Sequence, residues 1–450
     1  MTAADGRVDG AGTRAAALKI LIDYEKRDAY LGALLSAGLT RSELDRRDKA
    51  LVTELVQGTV RMKLSLDWAL KGFSRRPLDE LDPGVLWSLR LGAYQVMFTS
   101  IPDYAAVDMS ANATAEVVGR HAVGYVNAVM RAFTSGRDKV EWPDLDGDPV
   151  TFIEVKYSHP RWIVEMWVRE LGLEKTESLC AADNVNPGVA LRTNLLRTTR
   201  DGLAASLVEK GLEVTTGEMT PECLLAKHSG PVGDLDEFVK GLFAVQDQGS
   251  QLVSHKVNPE AGMRVLDMCA APGGKANHLA ELMGNEGLVM ALDLNATRLG
   301  MVTESAGRLG NSIVRTVELD GRLARSSVEG EFDRVLVDAP CTGLGTLARR
   351  PDARWRREPG DVERLSILQG ELLAAGSEMV APGGLLVYST CTVSHAENAG
   401  VVTGFIERHA PEFQQVPLAL EGREPAPWLQ LLADTDRCDG MFMAAMKRVS

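Results

Sequence analysis

The chain lacks what a membrane-spanning or exported protein needs. No run in its 450 residues reaches the roughly 18 apolar residues that cross a bilayer; the best stretch, Met379 to Val387, is broken by Pro382-Gly383-Gly384. The opening Met1-Thr2-Ala3-Ala4-Asp5-Gly6 has no basic segment followed by an apolar block, so no secretory leader is expected and the protein is placed in the cytoplasm. The six cysteines (Cys180, Cys223, Cys269, Cys341, Cys391, Cys438) lie far apart. Without a Cys-x-x-Cys pair no structural zinc, and no metal at all, is expected, and without an export signal neither is a disulfide framework. Internal repeats and low-complexity tracts are absent as well. What remains is ordinary globular composition, 45% hydrophobic and 25% charged, long enough for two to four domains.

The net charge of −13 argues at first against nucleic acid as a partner. The charge is uneven, however. Residues 1–140 carry 19 Lys and Arg against 17 Asp and Glu, so the acid sits in the C-terminal two thirds, and global charge excludes no local basic surface.

Apolar spacing predicts helices throughout residues 1–140, among them Ser65–Phe73, Pro83–Phe98, Ala105–Val118 and Ala122–Phe133, with breaks at Arg76-Pro77, Asp82-Pro83 and Ile101-Pro102. This is a small all-α bundle. The polar stretch Ser135 to Asp148 reads as a linker, and residues 141–242 as that linker plus a compact α+β module with a helix near Pro160–Leu171, an extended Val189–Asn194 and a helix near Arg200–Lys210. From residue 243 to 450 strand and helix alternate. Val265–Met268, Leu288–Leu292, Ile313–Val317, Arg334–Val337 and Leu385–Tyr388 are short apolar runs suited to buried parallel strands, and the Met441–Met446 run adds a last strand. The fold class is therefore multidomain, ending in an α/β Rossmann-like domain.

In open α/β sheets ligands sit beyond the carboxyl ends of the strands, and the chemically informative residues fall there. The first strand runs into Asp267-Met268-Cys269-Ala270-Ala271-Pro272-Gly273-Gly274-Lys275, a small-residue turn opening a helix. The second ends at Asp293, where a carboxylate accepts hydrogen bonds from ribose hydroxyls. The Gly-x-Gly-x-x-Gly of a nicotinamide site is missing, so a ribose-bearing cofactor without phosphates, S-adenosylmethionine, fits better. Asp320, after the third strand, suits an adenine amino group or, equally, a loop cap. The fourth strand ends Val337-Asp338-Ala339-Pro340-Cys341 and the fifth Tyr388-Ser389-Thr390-Cys391-Thr392. Two cysteines at equivalent strand ends, one beside an Asp, are not readily two buried hydrophobes, although Cys180, Cys223 and Cys438 are read that way.

Such a pair has a chemical use. Carbon 5 of cytosine is a poor nucleophile until a thiolate adds at carbon 6 and turns it into an enamine-like carbon that accepts a methyl group. The thiol must be activated, because an ordinary cysteine (pKa about 8.5) is mostly protonated at neutral pH. A carboxyl group near the ring nitrogen stabilises the adduct, and a base then removes the proton at carbon 5 so that the thiol can leave. Position alone does not say which cysteine attacks.

Taken together, Cys269–Lys275, the Asp-Ala-Pro-Cys ending at Cys341 and the Ser-Thr-Cys ending at Cys391 closely resemble the bacterial RNA cytosine carbon-5 methyltransferases of the Nop/Sun family, in particular the RsmB-type (Sun, Fmu) members. Gln246-Asp247-Gln248-Gly249-Ser250-Gln251 resembles the family segment entering the catalytic domain. Ile101-Pro102-Asp103-Tyr104-Ala105-Ala106-Val107-Asp108 and Tyr125-Val126-Asn127-Ala128-Val129-Met130-Arg131 resemble the NusB-like RNA-binding bundle fused to it. The resemblance implies Cys391 as nucleophile, Cys341 in release of the product, and Asp338 and Lys275 in the catalytic group. It also implies cofactor contacts at Cys269, Ala270, Ala271, Pro272, Gly273, Gly274, Lys275, Asp293, Arg298, Asp320 and Asp338. The implied partner is RNA, 16S ribosomal RNA first, with no DNA, no membrane and a monomeric protein. Ala276-Asn277 and His395-Ala396-Glu397-Asn398 depart slightly from the family pattern without touching a reacting group.

Arg349-Arg350-Pro351-Asp352-Ala353-Arg354-Trp355 resembles the family's substrate-side loop. With Arg356 and Arg357 it puts five arginines in nine residues of an otherwise acidic region. Guanidinium groups suit phosphate and an indole stacks on bases, so Arg349, Arg350, Arg354 and Trp355 are expected to touch RNA. His159-Pro160-Arg161-Trp162 is a second candidate contact. Three rival readings stay open: a nicotinamide oxidoreductase on the same sheet, a non-catalytic RNA-binding assembly factor, and the same methyl transfer on tRNA or another rRNA.

Overall fold

The computed structural model describes residues 10–227 and 232–449. Met1 to Gly6, read above for a leader, lie outside them. The chain forms two compact units: one takes the residues up to Asn184 together with Arg350–Arg356, the other Val185–Arg349 and the residues from Arg357 on.

The first unit is helical. Its longer helices are Gly10–Lys26, Leu31–Thr40, Arg46–Arg61, Lys63–Lys71, Pro83–Phe98, Asp103–Val117, Arg120–Gly136, Pro149–Tyr157, Arg161–Leu171 and Leu173–Ala182, with the short Ala353–Arg356 beside them in the same unit. Their starts follow local chemistry. Asp45, Asp82 and Asp148 each accept a backbone N–H of the turn they cap, and Pro83 and Pro149 stand in first turns, where no N–H is missed. Leu18, Val56, Trp87, Leu91, Val126 and Phe133 are fully buried in its core. The helices up to Ala182 fall in this first unit, Ile163, Val164 and Trp167 bury one face of Arg161–Leu171, and the Trp68 indole N–H donates to the Glu141 carbonyl at 3.0 Å.

The second unit holds a small and a large sheet. In the small one, β1 (Val189–Thr193), β2 (Glu213–Thr216), β3 (Cys223–Lys227) and β4 (Phe243–Val245) pair antiparallel in the order β2-β3-β1-β4. The large sheet contains β5 (Arg264–Asp267), β6 (Leu288–Asp293), β7 (Val314–Glu318), β8 (Phe332–Asp338) and β9 (Val380–Thr390), all parallel, as the apolar runs predict. Beyond them come β10 (Phe413–Val416), the separate hairpin β11 (Leu418–Leu420) and β12 (Arg423–Ala426), then β13 (Trp428–Gln430) and β14 (Phe442–Arg448). The order is β10-β14-β9-β8-β5-β6-β7, with β14 antiparallel to both neighbours, so the sheet is mixed rather than wholly parallel. Chain order reverses at β5, and a sheet of this kind opens a crevice at such a switch point. Among the described residues no helix is long and apolar enough to cross a membrane.

Candidate active site

The carboxyl ends of β5, β6, β8 and β9 meet at this reversal. β5 ends in Asp267, wholly buried; burial, then the nearby Asp338, push its carboxyl up to about 7, and one of its oxygens has no hydrogen-bond partner. The following turn carries Gly273 at φ +104°, where a Cβ would stand 3.0 Å from the Val302 Cα; only glycine fits. Asp293, at the end of β6, accepts the Ala271 N–H at 3.2 Å and the Asn295 N–H at 2.9 Å, while Arg298 donates to the Ala271 carbonyl at 2.6 Å. Asp293 and Arg298 thus brace the turn. Asp320 accepts the Arg322 N–H at 3.0 Å and is gripped by the Arg322 guanidinium, whose hydrogen bonds hold its carboxyl below the usual range: the loop cap is what the structure displays.

Lys275, one residue into the helix Gly274–Leu282, places its Nζ 2.6 Å from Asp338 Oδ2, and Ser389 Oγ donates to Asp338 Oδ1 at 2.7 Å. Burial opposes the charge on Lys275, but Asp338 outweighs it and Cys391 adds to the same effect, so the ammonium stays protonated. The two strand-end cysteines come together: Cys341 Sγ lies 3.3 Å from Cys391 Sγ and also accepts the Cys391 N–H. The hydrogen bond to Cys391 and then burial push the Cys341 thiol well up. Cys269 is pushed up too, by burial and then Asp267.

Below the thiols sits a group the sequence reading passed over. Glu397 is fully buried. Its Oε1 accepts the Thr342 N–H at 2.8 Å and the Gln369 amide at 3.1 Å; its Oε2 accepts the Thr342 hydroxyl at 2.6 Å and lies 3.4 Å from that of Thr392. One carboxylate thereby clamps the residues following both cysteines. Arg357 adds to the hold, donating to the Thr342 and Cys341 carbonyls. The only signal in the sequence was the Glu397-Asn398 pair six residues beyond Cys391.

Three family models match the chain: "16S rRNA methyltransferase RsmB/F" over residues 254–447, "NusB family" over 11–135, and an RsmF/B-like ferredoxin-like domain over 159–233. A probable ribosomal RNA small subunit methyltransferase B of Bacillus subtilis is 37% identical over 96% of this chain and 98% of its own. The ribosomal RNA small subunit methyltransferase B of Pseudomonas putida is 33% identical over 97% and 98%. The chain belongs to the RsmB/F family of 16S rRNA methyltransferases. Among solved structures, that of PH0851 has a TM-score of 0.83 at 26% identity, covering 98% of this chain and 99% of its own, and a methyltransferase homologue from Pyrococcus horikoshii has 0.60 at 26%, covering 67% and 99%.

The structure corrects one of the RNA contacts expected of this RsmB/F protein, that of Arg354. Arg354 has no exposed surface; it donates to the Ser158 carbonyl and to Asn184 Oδ1, both at 3.0 Å, and burial pushes its guanidinium down to about 10. It cannot meet a phosphate. The Trp355 indole N–H donates to the Val60 carbonyl at 2.7 Å, and Lys63 Nζ stands 5.2 Å from the ring centroid over one face. Arg349 is bound by Asp247 and Asp439 at 2.9 and 3.0 Å. Arg350 is the exposed one of these three arginines. In the second candidate segment His159 is buried, with Nε2 3.4 Å from Asp183, while Arg161 is exposed.

Proposed function

We propose that the protein methylates carbon 5 of a cytosine in small-subunit ribosomal RNA, with S-adenosylmethionine as methyl donor. The observation that carries this reading is the Cys341–Cys391 pair at 3.3 Å beside the Lys275–Asp338 ion pair. The donor set suits that cofactor: the Asp293 and Asp320 carboxylates for hydroxyl and amino groups, the unpartnered Asp267 oxygen, and a single glycine turn where a pyrophosphate would demand more. When bound, it supplies an electrophilic methyl group.

The chain's own residues account for the rest. The resemblance gives the attack at carbon 6 to Cys391, whose sulfur lies 3.3 Å from that of Cys341. Lys275 places a cation within electrostatic reach of Cys391, where a thiolate needs one. Attack makes the C–S bond and moves the ring electrons to carbon 5. Once carbon 5 bears the methyl group, its proton goes to a base and the C–S bond breaks, returning the thiolate. Cys341 is the adjacent thiol for that release. The 16S assignment rests on the matching 16S rRNA methyltransferase RsmB/F family model and on small-subunit methyltransferase relatives at 33–37% identity along nearly the whole chain.

The test is bisulfite mapping of ribosomal RNA from a deletion strain, paired with the two cysteine variants. Cys391→Ala should abolish methylation and form no adduct. Cys341→Ala should methylate and then stall with RNA attached, visible as a protease-sensitive band on a denaturing gel. The reverse pattern exchanges the roles; methylation intact in both variants removes thiol catalysis.

A further inference from the structure

Away from the thiols, the second unit gathers a set of metal-ligating side chains that no motif spacing announces. Glu222 stands just before β3, His255 on the helix Gln248–Val257 and His278 on the helix Gly274–Leu282. Glu222 Oε1 lies 2.9 Å from His255 Nε2 and 2.9 Å from His278 Nε2, and one donor atom from each residue falls within 4.8 Å of the other two. The imidazoles meet edge-on at 80° with centroids 5.3 Å apart.

We propose that Glu222, His255 and His278 form a site for a divalent cation of the zinc type. The first reason is the donor set, two imidazoles and a carboxylate, which zinc takes at about 2.0–2.2 Å with donors about 3.3 Å from one another in a tetrahedron. The two Glu222–histidine spacings, 2.9 Å each, need to open by only a few tenths of an ångström. The second is His278 itself. It is 1% exposed, and neither ring nitrogen has a hydrogen-bond partner; its Nε2 faces the Glu222 carboxylate at close range without hydrogen-bond geometry. A buried imidazole left in that state loses the full cost of desolvation, and a cation at Nε2 removes it. The third is charge. Glu222 brings a carboxylate to the two imidazoles, and the neighbouring Arg192 is itself paired with Glu281 at 2.7 Å. His255 is the partly exposed member, with 28% of its side chain accessible, and gives the ion its way in and a side for a water ligand. No reacting group lies among these residues, so the ion's part is structural: it ties the small sheet to the helix that starts at the Gly273-Gly274 turn and carries Lys275.

The test uses the full chain with Cys341→Ser and Cys391→Ser, since paired thiols bind zinc as well. After treatment with a chelator, zinc is titrated against a chromogenic competitor and cobalt(II) is added separately as a spectroscopic probe. One equivalent should bind, with visible cobalt bands and no thiolate charge-transfer band, and zinc should raise Tm. His255→Gln, at the accessible position, should weaken binding at least tenfold while the fold persists; Glu222→Gln and His278→Gln should do the same or more. Binding well below one equivalent overturns the proposal. So does binding that His255→Gln and Glu222→Gln leave unchanged, or a Tm that zinc does not move.

Discussion

Cys341 Sγ and Cys391 Sγ stand 3.3 Å apart at the ends of adjacent parallel strands, about 1.3 Å beyond a covalent disulfide. Mild peroxide should therefore join them: each thiol gives up one electron and one proton, one S–S bond forms, and the peroxide is reduced to two waters. Methyl transfer should be lost and then restored by dithiothreitol, while the buried Cys180, Cys223 and Cys438 stay reduced. Non-reducing peptide mapping checks this; full activity after peroxide, with both thiols still alkylatable, refutes it.

Glu397 holds the two cysteine loops in register without touching either sulfur. Glu397→Gln keeps the size but replaces one acceptor oxygen by a donor facing N–H and hydroxyl groups. The turnover rate should fall tenfold or more, equivalent to about 1.4 kcal/mol in the barrier, while cofactor affinity changes little. Single-turnover kinetics beside calorimetry separates the two; an equal loss in both would make Glu397 a mere fold residue.

Asp267 gives a pH signature. Its folded value of about 7 lies above the ordinary 3.8, so between those pH values the native state binds more protons than the unfolded one. Stability from this group is therefore lost as pH rises from about 4 to about 7. Asp267→Asn should gain on the wild type across that window in urea unfolding. A stability difference that is constant between pH 4.5 and pH 8 would contradict the burial argument.

Arg354 and Arg350 offer a contrast within one arginine run. Arg354→Met strips hydrogen bonds from buried acceptors and should cost roughly 2–4 kcal/mol of stability. Arg350→Met, on an exposed side chain, should cost within about 0.5 kcal/mol. Thermal or urea unfolding of the two variants decides it, and equal effects would place Arg354 back on the surface.

These residues also mark how far the sequence was legible. Buried parallel strands are near-continuous apolar runs, so the positions just past them (Asp267, Asp293, Asp338, Cys341, Cys391) could be read off directly, and the fold followed from their alternation with helices. The direction of β14 could not, because an apolar run looks alike either way round. Glu397 and the Glu222–His255–His278 cluster were invisible because their partners come from distant segments. The arginine run misled for a physical reason: a cation in a sequence carries no mark of whether its donors will face water or backbone carbonyls, and Arg354 found carbonyls.

The path of the chain sets a limit on dissecting this protein. It leaves the second unit after Arg349, spends seven residues in the first, and returns at Arg357. Neither unit is thus a contiguous stretch of gene. A fragment beginning at Val185 would carry Arg354 without Ser158 and Asn184, and a fragment ending at Asn184 would lack the guanidinium that fills their place. Swapping one unit for that of a relative by a single crossover would strand the same seven residues, so exchange between such proteins calls for two junctions more than a count of domains suggests.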